Sequence, residues 1–460
     1  MKTMTRRMTA LFLAVILLLA GCGKAPAAGG EAAPVGTAVS DGTKKGEATI
    51  LAAAIFPEWP KRKSPDKPAS EAWQEMNKAR TITTMDNRDL RAKVAAFSTR
   101  YFSVMMQGQE NVILSPVTTW LALGMLAEVT AGDTQAEILT ALQCTDIEEC
   151  RDMAQKLVKS VYIDDGVSRT VPACALFLSD KEEYREEPLQ QLAEVYLASA
   201  FSGTMGSEEY DAFLQAWLDQ QTGGMLTDEA SAVKTDPDEV LALASAMYLK
   251  TPWEENFAES AVAERPFETP AGQVKTDFMT GPASVKWYVQ GNGWKAAYRS
   301  MQGGMTMWFI LPDEGVDPVN IAQDPSLTAM LTAARPDEVT EADVMLTVPM
   351  FDVSSSADIV KKLPEMGIRL ALDENKADFS PLLVEENERI SVSKVDAAAR
   401  VKIDTAGVEA SAFTVVHATK ALAPQPLPQV YLVFDRPFLF AVTGPNGVVE
   451  FAGLVNSPAE

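Results

Sequence analysis

The sequence predicts an α+β protein whose helices lie in the first half of the chain and whose strands lie in the second. Apolar residues recur at helical spacing between residues 86 and 221, whereas short apolar or alternating runs of strand length dominate from residue 240 onwards. The chain has 460 residues and is 47% hydrophobic, which is enough to form one large core. Segregated helices and strands are typical of the α+β class.

The helical signal starts with apolar residues that recur every three or four positions from Leu90 to Val104, so the folded domain is predicted to begin near Asp86. Thr118 or Thr119 is the predicted N-cap of the next helix. Predicted helices cover residues 118–126, 148–162, 186–201, 207–221 and 361–366. Predicted strands cover residues 111–115, 240–249, 262–267, 284–289, 294–298, 305–311, 344–353, 389–403, 429–434, 439–442 and 448–455.

Composition argues against several classes of function. The net charge of −23 argues against a nucleic-acid-binding protein, which needs a basic surface. The single histidine, His417, makes Ser/His/Asp or Cys/His catalysis and histidine-ligated zinc unlikely to be the chemistry of this chain. Composition leaves carboxylate or lysine chemistry open. We predict a chain that is not an enzyme, needs no metal or other cofactor, and is a monomer.

Residues 1–22 are predicted to be an export signal. Basic residues precede an apolar run from Leu11 to Leu19 that is too short to span a bilayer. The run ends in Leu-Ala-Gly-Cys22, which resembles the lipobox of bacterial lipoproteins. The resemblance implies cleavage after Gly21, lipidation of Cys22 and anchoring of the exported chain to the bacterial cell membrane, facing the exterior. Ordinary secretion with an incidental Cys22 is the alternative.

Residues 23–85 are predicted to be a flexible tether followed by an N-terminal extension. Residues 23–48 are rich in alanine, glycine and proline and lack apolar periodicity. Residues 49–85 contain an apolar stretch but also several prolines, and the sequence leaves open whether they dock on the folded domain, assigned to residues 86–460.

The remaining cysteines are predicted to be structural. Cys144 and Cys150 lie six residues apart and could form a disulfide in an exported chain, or stay free. Cys174 lies in an apolar run and is predicted to be a buried thiol.

The stretch from Asp404 to Pro428 is a strand-like segment in the position of a connector. Its even-numbered residues from Val408 to Val416 are small or apolar, which is mostly the period-two pattern of a strand with one buried face. Three prolines between residues 424 and 428 then favour an extended loop, and predicted strands flank both ends. A long connector of this kind is usually functional, although an unspecialised surface loop is the alternative.

From about Asp86 to Pro458 the chain resembles the serpins, a family of serine protease inhibitors. The segment from Trp217 to Gly224, for example, resembles the family's W-x(4)-T-x-G helix end. The other matching blocks, in chain order, are residues 111–116, 131–134, 246–257, 309–315, 348–349, 363–368, 377–380, 393–394, 436–438 and 451–456. The resemblance implies a serpin fold, with helices clustered in the N-terminal half around a large central mixed β-sheet, smaller sheets and an exposed reactive-centre loop.

The resemblance implies that residues 404–428 are bait for a serine protease, which is trapped as a covalent acyl complex while the cut loop inserts into the central sheet. Counting from Gly407 at the family's spacing places the reactive bond at Ala421–Leu422, which suits elastase-like or subtilisin-like proteases. Lys420 before the cut is the alternative and suits a trypsin-like protease. The implied loop hinge consists of Gly407, Val408, Glu409, Ala410, Ser411 and Ala412.

The implied sheet-opening region contains Ser115, Ser245, Ala397 and Trp253. Most serpins have an asparagine and a histidine where this chain has Ser245 and Ala397, so one hydrogen-bonded lock on the sheet is missing. These departures leave two hypotheses, a suicide inhibitor of serine proteases or a non-inhibitory serpin-fold binding or structural protein on the cell surface. The acidic charge argues against a heparin-type cofactor for either.

Replacing the predicted lipidation site tests the anchor. We expect Cys22→Ser to move the protein from the membrane fraction to the soluble fraction, because the acyl chains that hold it would be absent. Cys144→Ser is the control and should stay with the membrane. Membrane fractionation of Cys22→Ser would contradict lipidation.

Overall fold

In a computed structural model, the chain is described over residues 48–64, 68–85, 88–224, 231, 233–333, 336, 338–385, 390–409, 426–445 and 447–458. The export signal with Cys22 lies outside these residues, as do hinge residues 410–412 and the predicted reactive-bond residues Lys420, Ala421 and Leu422. None of the helices in the described ranges is long and apolar enough to cross a membrane.

The helices are built around one that is buried along its whole length. The helices in the described ranges are α1 (Glu71–Met85), α2 (Arg88–Met105), α3 (Pro116–Glu128), α4 (Gly132–Ala141), α5 (Ile147–Val161), α6 (Glu186–Val195), α7 (Glu208–Gln221), α8 (Pro318–Ala322), α9 (Pro325–Thr332) and α10 (Leu363–Met366). Every residue of α3 is buried, so this helix lies inside the core and the other helices pack around it.

Two helix ends differ from the sequence-based prediction. Ser115 is the N-cap of α3, and its hydroxyl accepts a hydrogen bond from the Thr118 amide at 3.3 Å. The predicted cap at Thr118 or Thr119 is wrong because Pro116, which has no amide hydrogen to lose, starts the helix readily. The helix predicted over residues 186–201 ends at Val195, because Leu197 adopts a left-handed conformation with φ of +50°.

The strands form three sheets. The strands in the described ranges are β1 (Thr49–Ala52), β2 (Val112–Leu114), β3 (Ile163–Asp164), β4 (Arg169–Ser179), β5 (Ala198–Gly203), β6 (Leu241–Pro252), β7 (Val262–Thr269), β8 (Gly272–Pro282), β9 (Trp287–Gly291), β10 (Trp294–Met301), β11 (Met305–Pro312), β12 (Thr340–Glu341), β13 (Asp343–Pro349), β14 (Phe351–Asp358), β15 (Lys394–Ile403), β16 (Gly407–Val408), β17 (Gln429–Val433), β18 (Phe438–Thr443) and β19 (Val449–Val455).

The largest sheet, which we call the central sheet, has the order β1-β5-β4-β6-β16-β15-β14, with β3 paired to β4. It is mixed, because β4 and β5 run parallel, as do β6 and β15, whereas the other pairs are antiparallel. The second sheet has the order β12-β9-β10-β11-β18-β19-β2, and the third β17-β13-β8-β7. The predicted α+β fold with a large mixed sheet and smaller sheets is confirmed.

The core lies on both faces of the central sheet. Leucines of β4 and β6 join α3 on one face, whereas the alanines of the same strands face α7 on the other. Cys144, Cys150 and Cys174 are buried and free in the structure, so the Cys144–Cys150 disulfide that the sequence left open is absent from it. The burial of Cys174 is as predicted.

The described part of the N-terminal extension packs against the central sheet, which answers the question that the sequence left open. Strand β1 pairs antiparallel with β5 and extends the sheet by one strand. The Trp59 side chain is 6% exposed and belongs to a cluster with Tyr162, Ile163 and Val171. Helix α1 follows and buries Arg80, which is 2% exposed.

Arg80 lies beside a buried carboxylate of the second sheet. Its Nη2 atom is 4.0 Å from Glu450 Oε1, and both side chains are almost fully buried. Neither Glu450 oxygen accepts a hydrogen bond from any residue that the structure describes. Desolvation outweighs the attraction of Arg80 and raises the pKa of the Glu450 carboxyl from 4.5 to about 8.

This pKa shift makes stability depend on pH. Between pH 4.5 and about 8 the unfolded chain has lost the Glu450 proton but the folded chain keeps it, so stability falls as pH rises. We expect Glu450→Gln to remove this pH dependence. Between pH 5 and pH 8 the free energy of unfolding of the variant should rise, relative to that of the wild type, by a few kcal/mol in order of magnitude. Denaturant unfolding at several pH values measures the difference. The exposed Glu374→Gln is the control and should follow the wild type; a Glu450→Gln curve parallel to it would contradict the assignment.

Candidate functional site

The loop begins with a tight turn that reverses the chain after β15. The Asp404 carboxylate accepts hydrogen bonds from the Ala406 amide at 2.7 Å and the Gly407 amide at 3.2 Å. The Asp404 amide in turn donates to the Gly407 carbonyl at 3.0 Å. An aspartate that bonds the backbone two and three residues ahead stabilises such a turn. The chain therefore points back along β15 from Gly407 onwards.

The first residues of the loop already lie in the central sheet as β16. Val408 is antiparallel to Thr251 of β6 on one side and to Ile403 of β15 on the other, and Gly407 faces Pro252. Lower down, β6 and β15 pair directly from Lys394 opposite Ala242 to Ala399 opposite Met247. The two strands therefore diverge at their upper ends, and β16 occupies the opening between them.

Gly407 fits this position because it has no side chain. A Cβ atom there would lie 2.4 Å from the Thr251 carbonyl oxygen and 2.6 Å from Pro252 Cα. Its φ of +150° also favours glycine. The close approach of β16 to β6 thus depends on Gly407.

The next two hinge residues have different environments. The Val408 side chain is fully buried among the apolar residues that lie between the central and second sheets. Glu409 has a φ of +47° and its amide donates to the Lys402 carbonyl at 3.2 Å. Desolvation raises the pKa of the Glu409 carboxyl, against the opposing effects of a hydrogen bond with Tyr248 and of nearby Lys250. Because side chains alternate along a strand, we predict that Glu409 would face water once the loop has inserted.

Trp253 holds the turn in place through two hydrogen bonds. It is 2% exposed, its indole Nε1 donates to the Asp404 carbonyl at 2.9 Å, and its amide donates to the Ala406 carbonyl at 3.0 Å. Phe257 N donates to the Thr405 carbonyl at 3.0 Å. The Arg299 guanidinium lies 4.0 Å from the centre of the Phe257 ring and 6.0 Å from that of Trp253. Its burial lowers its pKa to about 10.

The residue before the turn has an unexpected partner. The Thr405 hydroxyl donates to the Glu259 carboxylate, in the short 3-10 helix Glu259–Ala261. Thr405 is thus paired with a carboxylate from another part of the chain. Sequence reasoning missed Glu259 and Arg299, because neither lies in a motif and both are near the turn only in three dimensions.

Two of the other predicted sheet-opening residues, Ser245 and Ala397, lie further down β6 and β15. Ser245 of β6 is directly opposite Ala397 of β15, and Ser245 is 1% exposed. Ser115, at the start of α3, and Ala397 line one narrow cavity. The Ser355 hydroxyl of β14 accepts from the Ile113 amide at 3.1 Å and so ties the central sheet to β2. Trp253 is at the upper end of β6 and belongs with the hinge instead.

Small side chains make up much of the contact between β6 and β15, together with the larger pair Val395–Leu243 and with Met247 opposite Ala399. Alanines line the paired part of both strands, including Ala244 and Ala246 on β6 and Ala398 and Ala399 on β15. We call the line along which β6 and β15 pair the seam. Backbone hydrogen bonds therefore hold the two strands together, and side chains interlock little across the seam. A strand of the same chain could replace those bonds if the seam opened.

The comparisons with a family profile and with individual known proteins agree on one family. The profile of the family described as "Serpin (serine protease inhibitor)" matches residues 92–458. The chain is 26% identical to plasminogen activator inhibitor 1 of Sus scrofa over 391 residues, which cover 81% of this chain and 94% of that protein. It is also 26% identical to the leukocyte elastase inhibitor of Bos taurus over 358 residues, or 76% of this chain and 93% of that one.

Solved structures show the same fold. The native state of the thermophilic serpin tengpin superposes with a TM-score of 0.73 at 21% identity, covering 89% of this chain and all of that one. Human thyroxine-binding globulin superposes with a TM-score of 0.68 at 22% identity, covering 81% of this chain and all of that one.

Filling the space at the hinge tests this geometry. We expect Gly407→Ala to lower the free energy of unfolding of the intact protein by about 2 kcal/mol or more, because the new Cβ meets the β6 backbone. Gly315→Ala is the control, since Gly315 also has a positive φ of +77° but no atom near the added Cβ. It should cost only the backbone strain of about 1 kcal/mol. Equal losses in the two variants, measured by denaturant unfolding, would contradict the close packing of β16.

Proposed function

This chain belongs to the serpin family, and from that premise we propose that it inhibits serine proteases as a suicide substrate. The observation that carries the proposal is β16, where Gly407 and Val408 already lie as a strand between β6 and β15. The loop that continues from Glu409 would extend this strand downwards by displacing the pairing of β6 with β15. Because Glu409 has a left-handed φ of +47°, this residue would have to become extended for the strand to continue past Val408.

The trapping reaction follows from serine protease chemistry. The protease serine oxygen attacks the carbonyl carbon of Ala421, the bond from that carbon to the Leu422 nitrogen breaks, and Leu422 leaves as a new amino terminus. Ala421 is then joined to the protease by an ester. Insertion of the loop that ends at Ala421 would carry the protease away and distort its active site before water can cleave the ester.

The sequence of the loop suits insertion. Val408, Ala410, Ala412, Thr414 and Val416 would face into the sheet, and none of them carries a charge or lacks an amide hydrogen. The inserted strand would exchange one ladder, between β6 and β15, for two. Each added ladder hydrogen bond contributes about 1 kcal/mol net, so a strand of this length supplies a substantial driving force.

The target class and location extend the same proposal. Alanine before the cut fits the small apolar pocket of an elastase-like or subtilisin-like protease, whereas a cut after Lys420 would fit a trypsin-like one. Lipidation of Cys22 would keep the inhibitor on the outer face of a bacterial cell membrane, where it would meet external proteases as a monomer. The missing side-chain lock between Ser245 and Ala397 would make the sheet easier to open.

A denaturing gel tests inhibition directly. The protein is mixed with elastase, subtilisin or trypsin, and in parallel with each protease after its active-site serine has been blocked. We expect a covalent complex with at least one active protease and with none of the blocked ones. The mass of the released fragment locates the cut, starting at Leu422 or at Ala421. Clipping of the loop by every protease without a complex would contradict inhibition and favour a serpin-fold binding protein.

Loop variants separate insertion from cleavage. We expect Ala410→Arg to be cut as before but to form at least about ten-fold less covalent complex. The reason is that burying an arginine in the sheet costs well over the 1.4 kcal/mol that corresponds to a factor of ten. Ala412→Pro should act likewise by losing a ladder bond. Ser411→Arg is the control, since its side chain would face water, and it should still form the complex. Full inhibition by Ala410→Arg would contradict the insertion mechanism.

A further inference from the structure

The N-terminal extension makes a set of buried polar contacts for which the proposed inhibitory reaction has no use. Asp165, in the turn between β3 and β4, is fully buried and accepts a hydrogen bond from Trp73 Nε1 of α1 at 2.7 Å. Its carboxylate is 3.6 Å from Arg62 Nη1, and its carbonyl accepts from the Arg62 amide at 2.5 Å. Lys61 Nζ lies 2.9 Å from Asp164 Oδ1, at the end of β3 just before this turn. The extension is thus attached to the strands on the β6 side of the seam.

The same segment also reaches the second sheet. Arg62 Nη2 donates to Gln302 Oε1 at 3.1 Å, in the turn between β10 and β11. Arg80 Nη1 donates to the Gly303 carbonyl of that turn at 2.8 Å, and Arg80 Nη2 lies 4.0 Å from Glu450 of β19. Arg80 Nε donates to the Ser160 carbonyl of α5 at 2.7 Å. One arginine therefore joins α5, the β10–β11 turn and β19.

Loop insertion would move these attachment points apart. A strand added between β6 and β15 widens the sheet by about 4.8 Å. Strands β6, β4, β5 and β1 lie on one side of the seam, with β15 and β14 on the other. Strand β14 is tied through Ser355 to β2, and β2 pairs with β19. The β6 side must therefore shift relative to β19, where Glu450 lies.

We propose that residues 48–85 form a clamp that holds the central sheet closed until the loop is cut. Arg62 bridges the β3–β4 turn to the second sheet, and Arg80 bridges the end of α5, which leads directly into β3, to the second sheet. The proposal rests on the proposed function, because insertion is the movement that the clamp resists. The clamp stabilises the closed sheet and is broken or rearranged in the inserted one. The upper end of β6 is held in the same region, since the Thr251 hydroxyl donates to the Gln302 carbonyl at 3.0 Å.

The clamp accounts for a feature that is otherwise costly. The Glu450 carboxyl group beside Arg80 accepts no hydrogen bond from the described residues. A buried pair of this kind stabilises the folded protein little, compared with apolar side chains of the same size. Contacts that exist in the closed sheet and not in the open one do have an effect on the barrier between the two. They slow spontaneous insertion, which would consume the inhibitor before it met a protease. This role complements the missing side-chain lock at Ser245 and Ala397.

The test compares the full-length protein before and after its loop is cut. Arg62→Met and Arg80→Met remove the bridging charges and keep most of the apolar stem. We expect both variants to lower the denaturant midpoint of the intact protein and to leave that of the cleaved protein unchanged. The uncleaved variants should also lose inhibitory activity about ten-fold faster than the wild type on warm incubation. If Arg80→Met fails to fold, Arg62→Met decides alone.

The control is Arg436→Met, because Arg436 bonds the Pro312 carbonyl within the second sheet and does not cross to the β6 side. It should lower the midpoints of both forms alike. If Arg62→Met and Arg80→Met also lower both forms alike, their contacts survive insertion and the clamp is wrong while inhibition stands. If cutting the wild-type loop fails to raise the midpoint, the proposed function fails, which is visible without any variant, and the clamp falls with it.

Discussion

The pairing of β6 with β15 is the interaction on which the rest of the structure depends. Two parallel strands meet at the centre of the sheet through backbone hydrogen bonds and small side chains, with Ser245 directly opposite Ala397. Parallel pairing of this kind is slightly less stable per residue than antiparallel pairing. The loop strand β16 is antiparallel to both neighbours and could replace the weaker pairing with two stronger ones. In the mechanism that we propose, the closed sheet is therefore less stable than the sheet with the loop inserted.

In the mechanism that we propose, contacts around the seam determine when the sheet opens. At the top, Trp253 and the Asp404 turn hold the hinge where Gly407 and Val408 enter the sheet. At the side, Arg62 attaches the β3–β4 turn, and Arg80 the end of α5, to the second sheet. These groups are far apart in the sequence, yet all of them act on the same relative movement of β6 and β15. In this proposal the fold combines a seam that can open with contacts that delay its opening.

The sequence predicted the fold class well, because helical periodicity and strand-length apolar runs are local signals. It also marked Trp253, which lies in a block that resembles a family, and Gly407, the glycine from which the family's spacing to the reactive bond is counted. It did not reveal Glu259, Arg299 or Arg80, whose partners are distant in the chain and whose burial depends on tertiary packing. Helix ends were missed for a related reason. Leu197 breaks a helix that its local pattern favours because the following residues pair with β4 in the sheet.

The most direct measurement is the crystal structure of the protein after its loop has been cut. The account predicts a new strand that continues from Val408 between β6 and β15, so that Ser245 no longer lies opposite Ala397. The alternate side chains from Val408 to Val416 should point into the core on one face. A cleaved protein in which Ser245 still pairs with Ala397 and the loop stays outside the sheet would contradict the account.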